Sequence, residues 1–342
     1  MCGIDYKSEK SVQENRALAT MPKIVKDRSV NKQFGTEFNS WFSDRFFGRG
    51  VLLKISNIVH KTVSVQSTDK VLVQKDGWLF YKLDNSLRNY ANVDLLSEQQ
   101  LQTIATYLKD IDDWCKRYNK QFVYVVAPDK NKIYGEYIID VKKINPDSNS
   151  RANQLVEYLH KNTKVKVVYP YNDLINKKDK MLLYFKNDTH WNSMGAYIGY
   201  TAIMKTLHVK PIDLRKTKEI TNVKGDLTNM SSTIKEDAIT TYIVPEYQKH
   251  FYCDQESTGV KTDTDCKNTS KSSGKRLFTL RDSFSSALGD FYNNTFKTVN
   301  YRWRYDMRKE DLEFIKDNAD IVILEQVERY IPSLLSQSFP KE

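Results

Sequence analysis

Phe122-Val123-Tyr124-Val125-Val126 is apolar on both faces, and a strand with no polar face must be covered by helices on each side. The surrounding pattern supplies those helices. Ser97 followed by Glu98, Gln99 and Gln100 opens a helix in which Leu101, Ile104, Leu108, Ile111 and Cys115 recur at helical spacing. A second helix is expected around Ala152, Leu155, Val156 and Leu159, then a strand at Val165-Lys166-Val167-Val168-Tyr169. Ala196 to Leu207 reads as a helix, and Leu277 to Leu280 and Ile321 to Leu324 as further strands. Such alternation predicts an α/β fold, a three-layer sandwich around a mostly parallel sheet.

The 342 residues allow one large domain or two small ones. Residues 1 to about 70 read as a helical or irregular arm packed on the core, with Phe34, Phe38, Trp41, Phe42, Phe46 and Phe47 as an apolar cluster. Residues 71–342 hold the main domain. It opens with two short strands around Asp76-Gly77, a hairpin signal because both turn positions favour positive φ. From about 210 to 275 a polar insertion interrupts the alternation and is placed to rim or cover a site. Cys253 and Cys266 bracket its loosest stretch, where a disulfide would contribute about 3 kcal/mol, whereas Cys115 on an apolar helical face reads as a buried thiol.

Composition excludes some functions. The net charge of +10 suits a polyanion, but the basic residues are scattered among 43 acidic ones, so no nucleic-acid partner is expected. An anionic glycan or cell-envelope surface fits the charge equally well, and so does a plainly solvated surface. No apolar run approaches the roughly 20 residues that span a bilayer. Met1-Cys2-Gly3-Ile4 lacks the apolar stretch of a signal peptide. No cysteine spacing suits zinc, and no metal or cofactor is expected.

Chemistry enters with Asp188-Thr189-His190-Trp191 and, far downstream, Arg281-Asp282-Ser283-Phe284. A serine hydroxyl becomes a nucleophile when an imidazole takes its proton, and a carboxylate orients that imidazole. Ser283, His190 and Asp188 can fill the three roles. Arg276-Leu277-Phe278-Thr279-Leu280 is strand-forming and Phe284-Ser285-Ser286-Ala287-Leu288 can start a helix, so Ser283 falls on a sharp strand-to-helix turn with backbone N–H groups nearby. The bland alternatives are a serine that only caps a helix and an Asp/His pair in a solvated turn beside a packed tryptophan.

These residues resemble the SGNH-hydrolase-like domain of the alginate O-acetyltransferase family of bacterial exopolysaccharide acetylation. Further matches are Glu14-Asn15-Arg16 with Leu18 and Pro22, Trp41-Phe42-x-Asp44-Arg45-Phe46, and Lys75-Asp76-Gly77-Trp78-Leu79-Phe80-Tyr81. Ala127-Pro128-x-Lys130-x-Lys132-Ile133-Tyr134 and Glu325-x-x-Glu328-Arg329 complete the resemblance. The Asp/His block precedes the serine, the circularly permuted motif order of that family. Arg281 departs from it, standing where a small residue or histidine is common.

The resemblance implies an O-acetyltransferase that carries acetyl on serine and passes it to hydroxyls of a secreted or cell-surface polysaccharide. It also implies an acetyl donor delivered through a membrane-bound O-acyltransferase, and an extracytoplasmic protein whose full-length form carries an amino-terminal anchor. The triad chemistry alone fits a carbohydrate acetylesterase too, and the scaffold alone fits a noncatalytic glycan-binding protein. Ligands of open α/β sheets bind beyond the carboxyl ends of the strands, where Pro128-Asp129-Lys130, Ser283 and Glu325-Gln326 are expected. Arg281 or Gln326 would join the Ser283 N–H in an oxyanion hole, and Lys130, Tyr134 and Arg329 are candidates for positioning substrate, with a structural ion pair as the alternative for Arg329.

Overall fold

A computed structural model describes residues 10–11, 16–26, 29–31, 33–45, 67–214, 216–221, 224–231, 240–246, 249–254, 263–270 and 273–340. They fall into two compact units. The first comprises 1–83, 186–189 and 222–240, and the second comprises 84–185, 190–221 and 241–342.

The second unit is built on a seven-stranded sheet. Its strands are β1 (Gln121–Ala127), β2 (Lys166–Val168), β3 (Phe251–Cys253), β4 (Thr264–Asn268), β5 (Arg276–Leu280), β6 (Thr298–Arg302) and β7 (Ile321–Val327). They lie in the order β3-β4-β6-β5-β7-β1-β2. The five from β6 to β2 are parallel, and β3 and β4 add an antiparallel edge. β1 and β7 are buried along nearly their whole length, as two covered faces require.

Five helices cover those faces: α1 (Glu98–Arg117), α2 (Arg151–Asn162), α3 (Ser193–Leu207), α4 (Ser285–Thr295) and α5 (Lys309–Asn318). The apolar faces of α1, α2 and α5 share one core with Phe122, Tyr124, Val126, Phe278, Leu280, Val322 and Leu324, alternate residues of three strands. α3 and α4 pack together on the other face, where Tyr200 stacks on Phe291. The expected three-layer α/β sandwich is present. Ser97 opens α1 with a full capping box, its hydroxyl accepting from Gln100 N–H while Gln100 returns a bond to Ser97 N–H. Cys115 is buried on that helix, and burial raises its thiol pKa.

Two expectations need correction. β7 runs to Val327 instead of ending at Leu324, because β1 continues to offer partners as far as Ala127, so Glu325 and Gln326 lie within the strand. The 210–275 segment is also more than a cover. It supplies the β3–β4 edge of the sheet, and the predicted disulfide joins Cys253 and Cys266 at directly opposed positions of these strands, 4.1 Å apart at Cα. Lys216–Thr221 and Thr241–Glu246 pair in the same segment as an antiparallel ribbon.

In the first unit, Val71–Val73 and Leu79–Tyr81 form the expected hairpin, but Lys75–Gly77 closes it as a three-residue loop where a two-residue turn is expected, with φ of 59° at Asp76 and 77° at Gly77. Val71 and Leu79 pack on Leu227 and Met230 of the short helix Asp226–Ser231. Near the amino terminus, Phe34–Arg45 is helical and Phe38 contacts both Phe34 and Trp41, whereas residues 10–30 contain two-residue strand pairs where helix or irregular chain is expected. Phe46 and Phe47 of the expected aromatic cluster, and Glu14 and Asn15 of the motif, lie outside the described residues.

Candidate active site

β5 stops at Leu280 because the next residues turn sharply into α4. Asp282 holds that turn. Its Oδ1 accepts from Phe284 N–H at 2.8 Å, and its Oδ2 accepts from Val327 N–H and the Tyr305 hydroxyl, both at 2.8 Å. Its own N–H donates to Glu325 Oε2 at 3.3 Å. Asp282 Oδ1 thus closes the turn onto Phe284 N–H, and the helix that follows has no side-chain cap from Ser283. The Ser283 hydroxyl faces the histidine instead, with Oγ 2.7 Å from His190 Nε2, and both residues are half-buried.

His190 is fixed by its neighbours. The fully buried Trp191 donates from Nε1 to Phe284 O at 2.9 Å, and the Phe284 ring lies 4.9 Å from the His190 ring. The chain after His190 is pinned by Asn192, whose Oδ1 accepts from Met194 and Gly195 N–H to cap α3. Phe284, immediately after the serine, therefore ties its turn to the histidine segment through backbone and ring. This arrangement permits the hydroxyl proton to pass to the imidazole as the oxygen attacks an acyl carbon.

Asp188 belongs to the first unit, and there its carboxylate is also held. Its Oδ2 accepts from Asp226 N–H at 2.9 Å, while the Asp226 carboxylate accepts from Thr189 N–H at 2.8 Å and from the Thr189 hydroxyl at 2.6 Å. Gly225 makes this close approach feasible, since a Cβ there would sit 2.0 Å from Asn187 O.

The remaining predicted site residues are distributed unevenly. Arg281 is on the Ser283 turn. Its buried guanidinium lies 4.4 Å over the Trp303 ring and donates to Ser286 Oγ and Asp282 O at 3.1 and 3.2 Å, and burial lowers its pKa. Gln326 is engaged inside the sheet, accepting from the Tyr124 hydroxyl at 2.7 Å and donating to Tyr330 O at 3.1 Å. Lys130 donates to Phe185 O at 3.1 Å and the Tyr134 hydroxyl accepts from Leu183 N–H at 3.0 Å, so both hold the segment leading to the Asp/His motif. Arg329 forms a buried ion pair with Asp129, and its guanidinium lies 5.6 Å over the Phe284 ring.

Besides Asp129 and Asp282, the buried acids Glu325 and Glu328 lie near this sheet edge. Desolvation raises the Glu325 pKa well above the ordinary carboxylate range, and the nearby Asp282 charge adds to the effect. Desolvation also pushes Glu328 up to about 7, opposed by Lys132, while Glu328 accepts from Asp129 N–H and the Tyr169 hydroxyl. Sequence reasoning missed Trp303 and Tyr305. Both follow β6, whose place beside β5 is set by tertiary pairing and carries no local signature.

A serine on a strand-to-helix turn, joined to a histidine beyond the carboxyl edge of a mostly parallel three-layer sheet, defines a domain of the SGNH-hydrolase-like class. Residues 71–278 match the family model described as "SGNH hydrolase-like domain, acetyltransferase AlgX". That is more than half of the chain, and the chain belongs to this family. The matched span contains Asp188 and His190 and ends before Ser283. Among solved structures, PatB1 of Bacillus cereus is similar at a TM-score of 0.57 and 17% identity, over 77% of this chain and 97% of that one. A DHHW family protein from Eubacterium siraeum is similar at a TM-score of 0.53 and 16% identity, over 80% of this chain and 100% of that one. At such identities the likeness is one of fold. No curated protein matches the chain.

Proposed function

We propose that this protein is an O-acetyltransferase that carries acetyl on Ser283 and delivers it to hydroxyls of a secreted or cell-surface polysaccharide. The observation that carries the reading is the 2.7 Å approach of Ser283 Oγ to His190 Nε2, on a turn held by the Asp282 carboxylate. Membership of an acetyltransferase family supports the choice of acyl group.

In the first half-reaction Ser283 Oγ attacks the carbonyl carbon of the acetyl donor while His190 Nε2 takes the hydroxyl proton. The proton passes to the leaving group as the donor's acyl bond breaks, leaving acetyl-Ser283. In the second, a sugar hydroxyl attacks the ester carbonyl, His190 takes its proton and returns it to Ser283 Oγ, and the acetylated sugar departs. Asp188, two residues before His190 in the chain, is assigned the role of orienting the imidazole. The Ser283 N–H at the start of α4 is assigned to the oxyanion. Arg281, on the same turn as Ser283, is assigned to join it, whereas Gln326 lies within β7 with its amide bonded to Tyr124 and Tyr330. Lys130, Tyr134 and Arg329 act indirectly, through the segments they hold.

The reading places the protein outside the cytoplasm, with its donor supplied by a membrane-bound O-acyltransferase. Among the described residues no helix is long and apolar enough to cross a membrane. The test is incubation with an acetyl donor and candidate glycans, followed by mass spectrometry of protein and sugar. A mass increase of one acetyl on Ser283 and on the glycan is expected. Acetylation surviving in Ser283→Ala, or release of acetate with no acetylated sugar, would overturn the reading.

A further inference from the structure

β6 and β7 flank β5 in the sheet, so the segments that follow them stand on either side of Ser283. Each brings aromatic rings there. Trp303 and Tyr305 follow β6, and Tyr330 follows β7; all three residues are half-buried, and Tyr305 also packs against the main core. Tyr305 and Tyr330 lie 6.5 Å apart at their ring centroids. The Tyr305 hydroxyl is bonded at 2.8 Å to Asp282, next to the nucleophile in the chain. The buried Arg281 guanidinium lies 4.4 Å over one face of the Trp303 ring, a cation–π contact that holds it in place.

We propose that Trp303, Tyr305 and Tyr330 form an aromatic ledge that receives a pyranose ring of the acceptor glycan by its C–H face, beside the Ser283 hydroxyl. The inference rests on the acetyltransferase reading and adds to it the residues that recognise the sugar. A β-linked pyranose with equatorial substituents presents a flat patch of C–H bonds on each face, with hydroxyls around its rim. Rigid rings with an apolar body and a polar tip match that surface and lose little conformational entropy on binding. Fixed rings on two sides of the nucleophile also give the acceptor a defined orientation, which is where remote binding energy accelerates transfer. Tyrosine and tryptophan placed elsewhere in the core do not have this position. Tyr124, Tyr184 and Tyr292 are completely buried and cannot meet a ligand without unfolding.

Binding can be measured apart from chemistry. The Ser283→Ala protein, which cannot form the acetyl-enzyme, is titrated calorimetrically with chitohexaose, cellohexaose and a β-linked oligomannuronate. At least one of these is expected to bind. Adding Trp303→Ala should weaken that binding about five- to tenfold, and Trp303→Phe, which keeps a ring over Arg281, should recover a substantial part of it. Thermal melts of each variant identify any loss of fold, and the Phe variant carries the test if the Ala variant is unfolded. No binding of any of the three sugars, or equal affinity in the parent and both Trp303 variants, would overturn the ledge. Because acetyl-Ser283 is assayed separately in the wild-type chain, failure of the ledge and failure of the acetyltransferase reading give different results.

Discussion

Asp282 and Asp129 are both buried aspartates just past the carboxyl ends of parallel strands, one beyond β5 and the other beyond β1, with β7 between them. Their surroundings differ in kind. Asp129 is closed: its carboxylate meets the Arg329 guanidinium and, at 3.1 Å, the Asn89 amide, while its N–H goes to Glu328. Asp282 is held by backbone N–H groups and the Tyr305 hydroxyl, and the residue after it keeps a half-buried hydroxyl turned toward a histidine. Burial of charge marks both places. What separates them is that beside Asp282 a half-buried hydroxyl faces a histidine, the arrangement on which the proposed chemistry rests.

The contrast is broken most directly at Ser283. Ser283→Ala or His190→Ala should lower 4-nitrophenyl acetate turnover by about a thousandfold or more with little change in melting temperature. Unchanged turnover in both would mean that the reactive group lies elsewhere. Asp129→Ala should do the reverse, leaving Arg329 charged and buried and costing about 3–5 kcal/mol in a denaturant titration. A loss near zero would show that water reaches the pair.

Glu328 sharpens the comparison through pH. Its pKa is raised in the fold to about 7 from the usual 4.5, so the folded state holds the proton more tightly. Its stabilising contribution is complete below about pH 4.5 and is lost as pH rises through about 7, a change on the order of 1–3 kcal/mol. Glu328→Gln should flatten that part of the stability profile measured by thermal or urea melts, and an unaltered profile would assign the dependence to another group. The smallest effect is expected from Tyr305→Phe, which removes one of the donors to Asp282 Oδ2. About 1 kcal/mol of stability and a severalfold loss of turnover should follow. A much larger loss of turnover at unchanged stability would give the Tyr305 hydroxyl a direct part in the reaction.

Much of this was legible in the residues. Helical spacing after Ser97, the doubly apolar run at 122–126 and the strand-to-helix change at 281–283 are local patterns, and local patterns suffice to predict the layers and to bring Ser283 and His190 forward as partners. What escaped depends on neighbours distant in sequence. β7 extends through Glu325 and Gln326 because β1 still pairs with it, and the polar Phe251–Cys253 and Thr264–Asn268 become sheet because β6 offers an edge. Trp303 and Tyr305 come beside the Ser283 turn by strand order alone. Nor does any local signal reveal that 186–189 groups with 222–240 in the first unit.

The contact between Gly225 and Asn187 has a consequence for how this chain can vary. A methyl group at 225 would stand 2.0 Å from the Asn187 carbonyl oxygen, so even alanine would have to displace the strap that carries Asp188 and Thr189. A position without any reactive atom is thereby constrained as well, and a saturation library screened for activity should show a depletion at Gly225 that the proposed chemistry of Ser283 and His190 does not account for.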